Sequence, residues 1–294
     1  MALTINTNMS SLIVQKNLNA ATSMLNKSIE RMTTGYKINH AADNAAGYSI
    51  ATTWKTQLGS LDVASDNAST GADMLTTLED TYSLITSHLQ RVRDLTEQAA
   101  NGTYGSDSLK AIASEITARL EEIDRISANC EFNGLKMMDG SLTDDINLQV
   151  GLYSDAASRI ALDASLFQNG HVSALFKTFG GVGGATVAEV AKLCSGYDGK
   201  QITGGQNEML NKIDAVISEI SARTTTLGAA QNRIESAVES INVQSENITS
   251  SLSTLRDADV AEESSNYIKA QILQQASATL LATANQTPSI ALNL

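Results

Sequence analysis

Apolar residues recur with a strict four-three alternation through the carboxyl half of the chain, at Ile213, Ile217, Ile220, Thr224, Leu227, Gln231, Ile234, Val238, Ile241, Ser245, Ile248, Leu252 and Leu255. This is a coiled-coil seam with three polar interruptions, and it predicts one helix on the order of 65 Å long. One helix cannot bury its own seam. The amino half supplies partners: Leu58, Leu61, Ala68, Ala72, Leu75, Leu78, Tyr82, Ile85, Leu89 and Val92 keep helical spacing until Asn101-Gly102 stops the helix. A shorter helix follows, with Leu109, Ile112, Ile116, Ile123 and Ile126 on one face. Three helices from opposite ends of the sequence therefore close one rod-shaped bundle.

Between these helices the period changes. Ile146, Leu148 and Val150 alternate with polar neighbours, as do residues 159–163, which predicts the two strands of a hairpin. Residues 166–205 are glycine-rich, with Gly180-Gly181 and Gly183-Gly184, and show no long period; they read as a short surface insert.

The two ends have their own pattern. Met9, Leu12, Ile13, Ala21, Met24, Leu25, Ile29 and Met32 form an apolar stripe in the first segment, and Ile268, Ile272, Ala276 and Leu280 form one in the last. Residues 1–15 and 270–294 contain no charged side chain. Residues 1–42 carry a net charge of +3 and residues 256–294 a net charge of −2, so the ends attract one another. Two such helices pair and still expose apolar surface, which burial in a polymer would cover. An isolated pair buries too little to offset its ordering entropy, so the ends are expected to fold upon assembly.

Composition narrows the function. The single proline, Pro288, leaves long uninterrupted helices permitted almost throughout. Twenty basic against thirty-two acidic residues, net −12, argue against attraction to nucleic acid or anionic lipid. No run approaches the eighteen apolar residues of a membrane span, and the amino terminus lacks the features of a general secretory signal. Catalysis finds no support. The three histidines are isolated, no His-Glu-x-x-His is present, and Gly180–Gly184 is not followed by the Lys-Ser/Thr of a phosphate loop. No cofactor or metal is expected. Asp144-Asp145 and Glu262-Glu263 are adjacent in sequence and so point different ways, which suits a solvated face.

Several stretches resemble bacterial flagellin. They are Thr4-Ile5-Asn6-Thr7-Asn8, Thr34-Gly35-Tyr36-Lys37-Ile38-Asn39, residues 41–47 (Ala-Ala-Asp-Asn-Ala-Ala-Gly), residues 89–95 (Leu-Gln-Arg-Val-Arg-Asp-Leu), Phe132-Asn133-Gly134, Leu148-Gln149-Val150-Gly151 and Ala284-Asn285-Gln286-Thr287-Pro288. The resemblance covers roughly residues 1–165 and 206–294, in order.

It implies a mainly α fold: an elongated antiparallel helical bundle and a terminal coiled coil, with a small β-hairpin and a short variable insert. The expected parts are an amino-terminal filament-core helix (1–42), rod helices plus hairpin (43–165), the insert (166–205), a carboxyl-side rod helix (206–255) and a carboxyl-terminal filament-core helix (256–294). The implied function is polymerisation into the flagellar filament for motility, outside the cell, after export through the flagellum's own secretion apparatus. The implied partners are further copies of the chain, a flagellar export chaperone, the filament cap protein and the hook-filament junction protein. A hook-filament junction protein is one alternative reading, sharing the terminal helices but lacking so complete a match to the patch around Gln90 and to Leu148-Gln149-Val150-Gly151; a secreted coiled-coil adhesin is another, against which the uncharged, apolar-striped ends argue.

The polymerisation core is expected at Met9, Leu12, Ile13, Met24, Leu25, Ile29, Ile268, Ile272 and Leu280. By the same resemblance, Gln90, Arg91, Leu95 and Glu115 match the patch read by a Toll-like receptor of the host; read from the residues alone, they are a solvated or subunit-packing face. Cys130 and Cys194 read either as small buried apolar residues or as a disulfide tying the insert to the third helix, which would require their Cα atoms to lie within about 7 Å.

Overall fold

A computed structural model describes residues 8–177, 186–196 and 206–292. Residues 4–7 of the amino-terminal motif and Gly180–Gly184 lie outside the described residues. The helices are α1 (Met9–Thr34), α2 (Ala45–Ala100), α3 (Ser106–Asn129), α4 (Val172–Lys177), α5 (Val187–Ser195), α6 (Gln206–Arg256) and α7 (Val260–Leu292). The strands are β1 (Glu131–Phe132), β2 (Leu135–Lys136), β3 (Ile146–Gln149) and β4 (Arg159–Leu162). Two compact units result, one of residues 1–59 with 244–294 and one of residues 60–243; the division falls inside α2 and α6.

In the unit of residues 60–243, the four-three period governs packing. Ile213, Ile220, Leu227, Ile234 and Ile241 on α6 are buried, and the alternate positions Ile217, Thr224, Gln231 and Val238 are half-buried. On α2, Leu61, Ala68, Leu75, Leu78, Tyr82, Ile85, Leu89 and Val92 are buried in turn, as are Leu109, Ile112, Ile116, Leu120 and Ile123 on α3. Polar ties cross these seams: Gln231 Nε2 donates to Glu79 Oε2 at 2.9 Å, and Arg91 pairs with Glu115 at 2.9 Å.

The expected hairpin forms, with β3 antiparallel to β4 and Ile146 opposite Leu162. It is seated on α2, where Leu148 lies so close to Gly71 that a side chain there would displace it. Asn67 Nδ2 donates to the Gln149 carbonyl at 3.2 Å, and the Tyr82 hydroxyl donates to the Leu166 carbonyl at 2.9 Å. A second, shorter hairpin joins β1 to β2 through Asn133 and Gly134, whose φ angles of 49° and 81° belong to the turn that matches strand twist.

The described part of residues 166–205 is not all surface. Within the described part, α4 and α5 pack on α3 and bury Val172, Leu175, Phe176, Val190, Ala191 and Cys194. A capping box at Thr186 and Glu189 starts α5, and Gly196 in the left-handed region (φ 62°) ends it. These helices complete the core beside α3.

In the other unit, α1 and α7 pack antiparallel: Asn8 Nδ2 donates to the Ala284 carbonyl at 2.7 Å near one end, and Arg31 meets Glu263 at 2.7 Å near the other. Asn8 caps α1 by accepting from the Ser11 amide, and Gly35 in the left-handed conformation closes it.

Candidate functional site

The α1–α7 pair has an unusual inside and outside. Positions turned inward on α1 are Ser11, Val14, Leu18, Ala21, Leu25 and Ser28, and on α7 Glu263, Tyr267, Ala270, Gln274, Ser277, Leu281 and Ala284. Both sets follow the four-three alternation, yet the most buried members are Ala21, Ser28, Glu263, Ala270 and Ser277, all small except one. Small residues take the most buried positions, half-buried Val14, Leu18, Leu25, Tyr267 and Leu281 fill the rest of the seam, and hydrogen bonds cross it. Gln274 Nε2 donates to Thr22 Oγ1 at 3.2 Å, and Ser11 Oγ to Asn285 Oδ1 at 2.8 Å.

Of the apolar stripe read on α1, only Ala21 and Leu25 face the seam; most of the large apolar residues of the two stripes do not. Met9, Leu12, Ile13, Met24, Ile29, Ile268, Ile272 and Leu280 stand on the outside, between 44 and 60% exposed, and only Leu25 of the expected polymerisation core is half-buried in the seam. Large apolar side chains exposed in this number on one helix pair make its outward face a candidate interaction surface.

At the base of the pair, residues 35–38 and 254–258 are stitched together. The Lys37 amide donates to the Arg256 carbonyl at 2.7 Å and the Ala258 amide to the Gly35 carbonyl at 2.8 Å, an isolated antiparallel bridge at Tyr36 and Asp257. The Arg256 guanidinium lies 4.1 Å from the centre of the Tyr36 ring, and Lys37 Nζ donates to the Thr254 carbonyl at 2.8 Å. A cavity of about 360 Å³ beside these contacts is lined by Arg31, Lys37, Asp43, Asp259, Glu262 and Glu263 among others.

Charge complementarity, expected between the ends, is realised at this base. Arg31 and Glu263 form a largely buried pair; burial pushes the Glu263 carboxyl up, but hydrogen bonds from Arg31, Ser28 and Asn266 outweigh it and hold the group below its ordinary range. Asp43 is held down at about 2, chiefly by its hydrogen bond with Lys27 at 2.7 Å, with further help from the His40 and Asn39 amides. Asp43 thus braces the turn between α1 and α2.

The other expected sites fall as follows. Gln90 and Arg91 are exposed and Glu115 is half-buried at the surface, where it is paired with Arg91, whereas Leu95 is 2% exposed and belongs to the core, so its side chain is not part of that surface. Cys130 and Cys194 are free and buried, which corrects the disulfide reading. The Cys130 thiol donates to Thr81 at 3.4 Å and the Cys194 thiol contacts Thr96, and these threonines are fifteen residues apart on α2, about 22 Å along its axis. No disulfide spans that distance. Burial pushes the Cys130 thiol up and the Cys194 thiol up to about 12. Among the described residues no group of His, Cys, Asp and Glu is placed to hold a metal, and no helix is long and apolar enough to cross a membrane.

Comparison with known proteins identifies this arrangement. Residues 5–143 match the bacterial flagellin N-terminal helical region, and residues 210–294 match the bacterial flagellin C-terminal helical region. The flagellin of Bacillus subtilis (strain 168) is 33% identical over 99% of both chains, and flagellin B of Vibrio cholerae (O395) is 30% identical over 100% of both. The chain belongs to the bacterial flagellin family. As a flagellin it is a structural subunit of the bacterial flagellar filament and not an enzyme. A putative flagellar hook-associated protein from Vibrio parahaemolyticus has a similar structure, with a TM-score of 0.61 over 73% of this chain and 100% of that one. At 12% identity that likeness concerns the fold alone, so the junction-protein reading is not favoured against flagellins matched end to end. The adhesin reading is not favoured either.

Proposed function

We propose that this flagellin polymerises through the outward face of its α1–α7 pair, with Met9, Leu12, Ile13, Met24 and Ile29 of one subunit and Ile268, Ile272 and Leu280 of its neighbours closing a shared apolar core. Leu25 contributes from the edge of the seam. The observation that carries this reading is that hydrogen bonds join α1 to α7 within the subunit while Met9, Leu12, Ile13, Met24, Ile29, Ile268, Ile272 and Leu280 are left exposed on the outside. Covering eight such half-exposed side chains contributes on the order of 10 kcal/mol per subunit before the cost of association.

The same exposed face on α7 suits a cytoplasmic export chaperone that covers Ile268, Ile272 and Leu280 before assembly. Export unfolded through the flagellum's own secretion apparatus, addition beneath the filament cap and attachment to the hook-filament junction complete the proposed path to an extracellular filament. Gln90, Arg91 and Glu115 offer a polar surface that a host Toll-like receptor could read on the free subunit.

Deleting residues 1–20 or 275–294 is expected to abolish polymerisation seeded with short filaments, followed by light scattering and electron microscopy, while circular dichroism of the unit of residues 60–243 persists. Full-length filaments grown from either truncation would sink this reading.

A further inference from the structure

The methionines among the described residues fall into two sharply separated groups. Met74, Met137, Met138 and Met209 are 0 to 4% exposed, whereas Met9, Met24 and Met32 are 59%, 60% and 40% exposed, and all three belong to α1. Met9 and Met24 lie on the face proposed above for assembly, and Met32 stands at the end of the helix. The other oxidisable sulfurs, Cys130 and Cys194, are buried, free and held as thiols by their apolar surroundings, which removes them as fast competitors.

We infer that Met9, Met24 and Met32 are an oxidation site that gates polymerisation: hydrogen peroxide converts their thioethers to sulfoxides in the free subunit and blocks its entry into the filament, whereas assembly shields them. Each thioether sulfur forms a bond to one peroxide oxygen as the O–O bond breaks; the sulfur loses two electrons, and the peroxide is reduced to one water. The product is a polar S=O group on a side chain that assembly would bury against the apolar side chains of the stripe, at a desolvation cost the thioether does not carry. The modification is reversible by the two epimer-specific methionine sulfoxide reductases. This inference rests on the assembly-face reading, and its test keeps the two apart.

The full-length subunit and its filaments would be treated in parallel with hydrogen peroxide and digested for mass spectrometry, and the treated subunits would be assayed for seeded growth. The expected result is sulfoxide at Met9, Met24 and Met32 in subunits but not in filaments, with the critical concentration of treated subunits raised about tenfold or more. The triple variant M9L/M24L/M32L should polymerise alike before and after peroxide. Where that variant does not grow untreated, reductase treatment of the oxidised wild type decides, since recovery of growth supports the inference and persistent failure overturns it. Oxidised subunits that grow as well as untreated ones, or a leucine variant that loses growth to peroxide equally, would overturn the gate while leaving the assembly face standing. Equal oxidation in filaments and subunits would overturn the assembly-face reading itself and the gate with it.

Discussion

Replacing Arg31 with methionine keeps the aliphatic stem and removes the charge, which leaves Glu263 buried against α1 without its cation. The Glu263 side chain is 7% exposed and that of Arg31 26%, at a separation of 2.7 Å. Breaking a fully buried pair costs about 3 to 5 kcal/mol. Here a quarter of the arginine already reaches solvent, and Ser28 and Asn266 still donate to the carboxylate, so about 2 kcal/mol is the reasonable figure. Hydrogen exchange by mass spectrometry reads this directly, because a loss of 2 kcal/mol speeds exchange of the seam amides of α1 and α7 roughly 30-fold. The double variant R31M/E263L should recover most of the protection, since it leaves no orphaned charge. The Glu263 carboxyl lies below its ordinary range in the folded chain. Its stabilisation is therefore present above the unfolded value near about 4.3 and is lost as pH falls through the folded value, so wild type and R31M should converge in acid. If R31M exchanges at the wild-type rate near neutrality, or if R31M/E263L is as fast as R31M, the pair is not what pins the two helices.

Three further outcomes follow from single contacts. In D43N the Asn39 and His40 amides lose the carboxylate they now donate to at 3.2 Å, so their exchange should rise above pH 4. Because the Asp43 pKa is depressed to about 2, the wild type should lose the same protection only between about pH 4 and 2; a D43N profile that still bends there would refute the assignment. Y82F orphans the Leu166 carbonyl in a site 1% exposed and should cost about 1 to 2 kcal/mol, seen as a lowered Tm of the unit of residues 60–243; an unchanged Tm would show that the hydroxyl bond contributes nothing. Cys130 and Cys194 should resist maleimide in the native chain and both react after denaturation, and a non-reduced mass lighter by two hydrogens would show that they pair after all.

The long seams were legible because six heptads of one period leave a helix no other face to bury: every four-three position on α6 from Ile213 to Leu255 is buried or half-buried. Helices α4 and α5 were not, because six and nine residues are too few for a period to rise above the surrounding glycines. Their one legible trace was chemical, in Thr186 and Glu189 spaced as a capping box. The β1–β2 turn left a similar trace in Asn133-Gly134, whereas strands of two residues carry no alternation at all. The terminal pair shows a different kind of limit. Its apolar residues were found, but periodicity reports only that a face is to be buried and not by what. In α1 and α7 Ala21, Ser28, Ala270 and Ser277 are buried in the intrachain contact beside half-buried Val14, Leu18, Leu25, Tyr267 and Leu281, while Met9, Leu12, Ile13, Met24, Ile268 and Ile272 among others stay exposed.

That inversion fits the distribution of charge. Residues 60–243 hold thirteen cations against twenty-five anions, which is the whole net charge of −12, while residues 1–59 and 244–294 hold seven of each. Spread evenly, the same charge would place about four to five negative charges on the second group, and every copy added to a polymer core would repel those already there. A neutral unit with hydrogen-bonded contacts between its helices and large apolar side chains outside can be packed against many copies of itself without accumulating charge. The unit of residues 60–243 meanwhile keeps the negative charge that favours solubility. On the proposed reading, the hydrophobic core of this flagellin's ends is a property of the filament and not of the chain, which is why a charge placed at Ile272 should harm growth far more than the fold of a single subunit.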